Sequence, residues 1–333
     1  MKENIFDSFI DKAKNSGKTI VLPEGEDERA LECAVKATKL NIAKIVLLGD
    51  EKLKAKLEPG VREKITIINP KTSPDCEKFA QKYFELRQHK GVTIDQAKAV
   101  VKENMTFAVM MVYFKMADGI VAGVRLKTAD VLRPALQIIK CKEGITKASS
   151  IMLLSVPKEA TIETKDSVVG FADCSVIINP EAEDLASIAL ASAKTMKTLA
   201  GVEPKVALLS YSTQASETKD ESILKIKQAL NLVKAKDKKL AIDGEIQADA
   251  AVSSFVSKIK CKKDVLKGQT NVFVFPDLNS ANISYKLVAR FSGAVAVGPI
   301  IQGLNAPVND LSRGATSKEM LLTIAITVLQ ASV

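Results

Sequence analysis

At 333 residues, 47% hydrophobic and 26% charged, the chain is long enough for two cored domains and too apolar to be disordered or fibrous. Its five cysteines are scattered, odd in number and free of C-x-x-C pairs, which excludes a disulfide framework and a zinc site and fits a reducing cytoplasm. With one histidine, His89, and a net charge of +9 carried by lysines that alternate with acids, neither multi-histidine metal chemistry nor nucleic-acid binding is expected.

From the N-terminus, MKENIFDSFIDKAKNSGK lacks the uninterrupted apolar core of a secretory signal and predicts an amphipathic helix. TIVLP (19–23), an amphipathic stretch near 26–40 and KIVLL (44–48) then set the β-α-β rhythm of a parallel sheet. ITIINP (65–70), helices through Met116, GIVAG (119–123) and a helix near 129–140 continue it. From about Ser149 the strands crowd together: SSIMLLSVP (149–157), SVVGFAD (167–173) and CSVIINP (174–180). Helix–strand alternation resumes through 181–200, 205–210, 220–233, 240–243 and NVFVFPD (271–277), and AVAVGP (294–299) closes the second unit. An apolar helix over 317–330 needs a core to bury its face. No apolar run approaches the ~20 residues that cross a bilayer.

Two motifs mislead. Gly17-Lys18-Thr19 resembles the end of a P-loop, but Lys12 stands where the first glycine belongs and a strand follows instead of a helix. No G-x-G-x-x-G follows the first strand, so a nicotinamide-binding half has no support. The informative stretch is GPIIQGLNAPVNDLSRGATSKE (298–319), where Ser312 and Arg313 sit beside Gly314, just ahead of a helix whose free N–H groups and positive dipole end attract anions.

NDLSRG (309–314), LPEGEDER (22–29), ELRQHKGVT (85–93), TADVLRPALQIIK (128–140), LSYST (209–213) and VFPDLN (274–279) together resemble the phosphate acetyl/butyryltransferase family, in motifs that span nearly the whole chain. The resemblance implies an α/β fold of two three-layer α/β/α domains with a cleft between them, similar to the isocitrate/isopropylmalate dehydrogenase architecture. It implies a first domain of residues 1–142 plus 298–333, and a second of 143–297 that forms a homodimer. It also implies acetyl transfer between coenzyme A and phosphate by direct thiol attack, with CoA as a substrate and no tightly bound cofactor or metal.

Ser312, Arg313 and Glu319 fall on the family's catalytic positions, Arg87, Arg133 and Arg290 on its CoA contacts, and Thr128 with Ser312 and Arg313 on its substrate site. A carboxylate that removes the thiol proton, and an arginine that forks onto phosphate oxygens, suit that chemistry. Ser312 is expected to donate a hydrogen bond to the reacting carbonyl or to phosphate. Glu319 replaces the family's aspartate and is one methylene longer, and Thr316-x-x-Glu319 also fits a helix capping box.

Residues 125–128 (Arg-Leu-Lys-Thr) and 214–219 depart from the family's pattern, Lys127 reading as an exposed cation. His89 reads as a surface residue, and Asp310 as a loop anchor that accepts backbone hydrogen bonds. The competing readings are a butyryl-type acyl specificity, a non-catalytic CoA-binding homologue and, more distantly, a dehydrogenase of the same architecture.

Overall fold

A computed structural model of the chain describes residues 5–157, 159–215 and 219–332. In chain order its strands are β1 (Thr19–Leu22), β2 (Lys44–Leu48), β3 (Thr66–Ile68), β4 (Gly119–Ala122), β5 (Ser149–Ser155), β6 (Val168–Ala172), β7 (Lys205–Leu209), β8 (Ala241–Ile246), β9 (Val272–Val274), β10 (Ala296–Gln302) and β11 (Val308–Asp310). They form two sheets in two compact units, one over Phe6–Lys142 and Leu304–Val333, the other over Glu143–Gly303.

The sheet of the first unit has the order β11-β4-β1-β2-β3, with every pair parallel. Such a sheet is covered on both faces, which is why TIVL and KIVLL are almost wholly apolar. Ile20 and Leu22 of β1 and Ile45 and Leu47 of β2 share a core with Cys33, Ala34 and Ala37 of the helix Glu28–Lys39 and with Leu321, Ile324 and Val328 of the helix Ser317–Gln330. The alternate side chains Val21, Val46 and Leu48 are buried as well. Helices Asn104–Tyr113 and Thr128–Ile138 pack against β4 and β11 respectively. The docking of the C-terminal helix is illegible in its sequence because every residue from Met320 to Val328 is buried, leaving no polar stripe to mark an outer face.

The second sheet runs β10-β5-β6-β9-β7-β8; β5 is antiparallel to both β10 and β6, and the remaining pairs are parallel. Two expectations need correction here. CSVIINP is not a strand: the Asp173 carboxylate accepts the N–H groups of Ser175, Val176 and Ile177 at 3.0, 3.2 and 2.9 Å, which curls the chain around it. The unit also does not close at 298, because β10 continues through Pro299 to Gln302 and keeps residues 298–303 with Glu143–Gly303. A proline is tolerated there because β10 is an edge strand, and a register shift between Val297 and Ile300 absorbs it.

Candidate active site on the first unit

A parallel sheet delivers its loops to one edge, the carboxyl ends of the strands, where α/β folds bind ligands. Glu24 follows β1, the middle strand of the first unit. One of its carboxylate oxygens accepts the N–H groups of Gly123 and Val124 at 2.7 and 3.0 Å, the other those of Arg125 and Leu126 at 2.6 and 2.7 Å. The loop after β4, divergent though its sequence is, is therefore fixed at four successive amides. Leu126 is half-buried and Lys127 is exposed, and Lys127 occupies the N-cap position of the helix Thr128–Ile138.

Arg29 ties the neighbouring loops together. Its guanidinium pairs with Asp27 through Nε and Nη2 at 2.9 and 3.0 Å. It also donates to the carbonyls of Val124, Arg313 and Ala315 at 2.8, 2.8 and 3.0 Å, thereby linking the connections after β1, β4 and β11. The Arg29 guanidinium in turn holds the Asp27 carboxyl below the usual carboxylate range. Glu24 and Arg29 both lie in LPEGEDER, yet no spacing rule singles them out; the available signal was an acid two residues beyond an apolar strand.

β11 hands the chain to Ser312, Arg313 and Gly314, all exposed. The turn is held by the Ala315 N–H to the Ser312 carbonyl at 2.8 Å, and the Gly314 N–H reaches Ser312 Oγ at 3.3 Å. The following helix start is not the open anion site expected from its position. Glu319 Oε2 accepts the Thr316 N–H at 2.7 Å and the Thr316 hydroxyl at 2.9 Å, while the Glu319 N–H donates to Thr316 Oγ1 at 3.2 Å. The capping box is real, and the protein's own carboxylate takes the place an anion would occupy.

Thr128, the first residue of its helix, donates its hydroxyl to Asp310 Oδ2 at 2.5 Å. Asp310 is 1% exposed, and its Oδ1 is buried without a hydrogen bond. The expected anchor thus takes the Thr128 side-chain hydroxyl first, with the Leu311 N–H as the backbone amide that also favours its anion. Burial pushes its carboxyl up to about 6, Glu24 adds to the rise, and the Thr128 hydroxyl and Leu311 N–H oppose it. Gly123, at φ +103°, makes room: a Cβ there would lie 2.2 Å from Oδ1, so only glycine fits.

A cavity of about 1110 Å³ opens on the same unit, walled by Arg125 and Arg133, by Lys71 and Asn69 after β3, and by Tyr83. Ser312, Arg313 and Glu319 do not line it. Arg133 is exposed and 3.9 Å from Asp130. Arg87, at the end of the helix Cys76–Arg87, is half-buried, and its Nε makes no hydrogen bond. His89 is exposed in the turn that follows.

On the second unit, Arg290 is exposed in the last turn of the helix Leu278–Ser292. LSYST and VFPDLN lead out of the carboxyl ends of β7 and β9, where Ser210, Tyr211 and Asp277 line a cavity of about 610 Å³. Of the divergent stretch 214–219, Gln214 donates to Asp243 at 2.8 Å, and residues 216–218 lie outside the described residues.

A parallel sheet whose carboxyl edge presents an exposed serine–arginine turn beside further guanidinium groups defines an α/β transferase of anionic substrates. The chain belongs to the phosphate acetyl/butyryltransferase family: the model described as "Phosphate acetyl/butaryl transferase" matches residues 4–328. It is 45% identical over 329 residues to a phosphate acetyltransferase of Thermoanaerobacterium thermosaccharolyticum, covering 98% of this chain and 99% of that one. A phosphotransacetylase crystal structure from Streptococcus pyogenes superposes with a TM-score of 0.92 at 37% identity, covering 100% and 99% of the two chains. A 4-hydroxythreonine-4-phosphate dehydrogenase from Klebsiella pneumoniae shares the fold at 13% identity, with a TM-score of 0.50 over 95% and 99% of the chains. The dehydrogenase-like α/β architecture expected from the sequence is therefore the one this chain has.

Proposed function

We propose that this chain is a phosphate acetyltransferase, interconverting acetyl-CoA plus phosphate and acetyl phosphate plus CoA. The observation that carries this reading is the exposed Ser312–Arg313 turn at the carboxyl end of β11, in a chain of this family. In the direction of thioester formation, the CoA sulfur attacks the acetyl carbonyl carbon of acetyl phosphate. The S–C bond forms, the thiol proton passes to Glu319, and the C–O bond breaks with its electron pair leaving on phosphate.

Arg313 holds the phosphoryl oxygens in its fork, and Ser312 donates to the carbonyl oxygen as negative charge builds there. Thr316 occupies only Oε2 of Glu319, which leaves Oε1 for the proton. A thiol is only a few per cent ionised near neutrality, so a positioned carboxylate raises the rate. Arg87, Arg133 and Arg290 contact the phosphates of CoA, which is bound as a substrate, and Thr128 meets the reacting groups. The working form is a cytoplasmic homodimer joined through the second unit, where Ile283, Leu287 and Phe291 form an exposed stripe on one helix.

The test follows thioester formation from CoA and acetyl phosphate, with propionyl and butyryl phosphates in parallel to set acyl preference. Glu319→Gln keeps an acceptor for the cap, so stability should change by no more than ~1 kcal/mol. Loss of the base should lower kcat by ~10²–10⁴. Near-normal turnover in that variant would remove Glu319 from the mechanism.

A further inference from the structure

A hydroxyl has one proton, and Thr128 gives it to Asp310. While Asp310 is ionised, the Thr128 oxygen therefore has only lone pairs to offer any other partner. The carboxylate is confined to this use: it is 1% exposed, Oδ1 has no hydrogen bond, and Gly123 closes the space beside it. If Asp310 takes up a proton, the order reverses, with the acid donating to Thr128 and the Thr128 proton turning outward. We propose that Asp310 is a positioning residue that sets the hydrogen-bond polarity of Thr128, holding its hydroxyl as an acceptor for a proton-bearing substrate group. The two such groups in this reaction are the thiol S–H and a protonated phosphate oxygen. The inference rests on the phosphotransacetylase reading, in which Thr128 meets substrate.

The surroundings give the switch its range. The charged groups on the elements around Asp310 are Glu24 after β1, the Arg29–Asp27 pair, Arg125 and Lys127 in the loop after β4, Asp130 and Arg133 on the Thr128 helix, Arg313 in its own loop, and Lys318 and Glu319 on the C-terminal helix. Burial, and to a lesser degree Glu24, raises the Asp310 carboxyl, while the Thr128 hydroxyl and the Leu311 N–H oppose the rise. Titration at about 6 makes the ionised state dominant at neutral pH and the reversed state dominant below pH 5.

The experiment measures kcat and KM for acetyl phosphate and CoA from pH 5 to 8 in the wild type, Asp310→Asn and Thr128→Val. The amide of Asp310→Asn donates to Thr128 and mimics the protonated acid, so kcat should fall ~10–100-fold at neutral pH. The acid limb near pH 6 should vanish with it. Thr128→Val should show a similar loss and no limb, and the double variant should lose no more than either single one. A limb that persists in Thr128→Val, or in folded Asp310→Asn, overturns the proposal.

An NMR titration of the Asp310 carboxyl carbon reads the pair without turnover. Its midpoint should rise in Thr128→Val, where the hydroxyl that favours the anion is gone, and an unmoved midpoint overturns the coupling. A wild type that does not turn over, yet shows this shift, fails the functional reading alone.

Discussion

Glu24 and Asp310 stand on either side of the loop that follows β4, one beyond β1 and the other at the end of β11. Glu24 is saturated: each of its oxygens accepts two amides of the loop. Asp310 is half-satisfied, with one hydroxyl on Oδ2 and nothing on Oδ1. The difference separates a carboxylate used as a staple from one whose proton inventory can change. Burial with so few partners is what raises the Asp310 carboxyl.

The largest effect expected from this contrast is at Glu24. Glu24→Gln sets an amide donor against two of the four N–H groups, and should cost about 3 kcal/mol in urea unfolding. Hydrogen exchange at residues 123–126 should accelerate more than elsewhere in the first unit. Unchanged protection of those four amides would mean that the loop is held by something other than this carboxylate.

A smaller effect is expected at Asp310, and its sign is fixed by the direction of the shift. The folded-state carboxyl is raised from 3.8 to about 6, so its contribution to stability is complete below pH 4 and is lost as the pH rises through 6. Between pH 4.5 and 7 the wild type should therefore lose ~2 kcal/mol that Asp310→Asn does not lose. Parallel pH profiles of the urea midpoints in the two proteins would erase the distinction drawn between the carboxylates.

The smallest change in stability is expected at Arg29. Arg29→Lys keeps the charge beside Asp27 but cannot reach the carbonyls of Val124, Arg313 and Ala315 together, and should cost ~1 kcal/mol. The Ser312–Arg313 turn would lose its strap, and kcat should fall about tenfold with KM for CoA little changed. A rise in KM with constant kcat would instead make Arg29 part of the CoA site.

Periodicity recovered the elements that bury their faces. KIVLL became β2 residue for residue, and the 317–330 pattern became the helix Ser317–Gln330. It failed where a side chain overrides the backbone pattern. CSVIINP has strand-forming residues, but Asp173 competes for its amides. β11, the three residues that follow Pro307, is too short to show a period, although its position fixes the Ser312–Arg313 turn. Ser312, Arg313 and Glu319 were named from their motif, and their catalytic roles stand as proposals; the Thr128–Asp310 hydrogen bond had no sequence signal, since 182 positions separate the partners and only the β11–β4 pairing brings them together.

β4 ends at Ala122, and its outer neighbour begins at Val308. On the ribosome, then, that side of the first sheet stays unclosed until residues 308–310 have been made, by which point Glu143–Gly303 already has all six of its strands. A nascent chain cut short before residue 308 has an open parallel edge, the aggregation hazard of any unpaired strand, and lacks the Ser312–Arg313 turn. The Ser312–Arg313 turn proposed to act in acyl transfer therefore takes shape only after the second sheet has all of its strands.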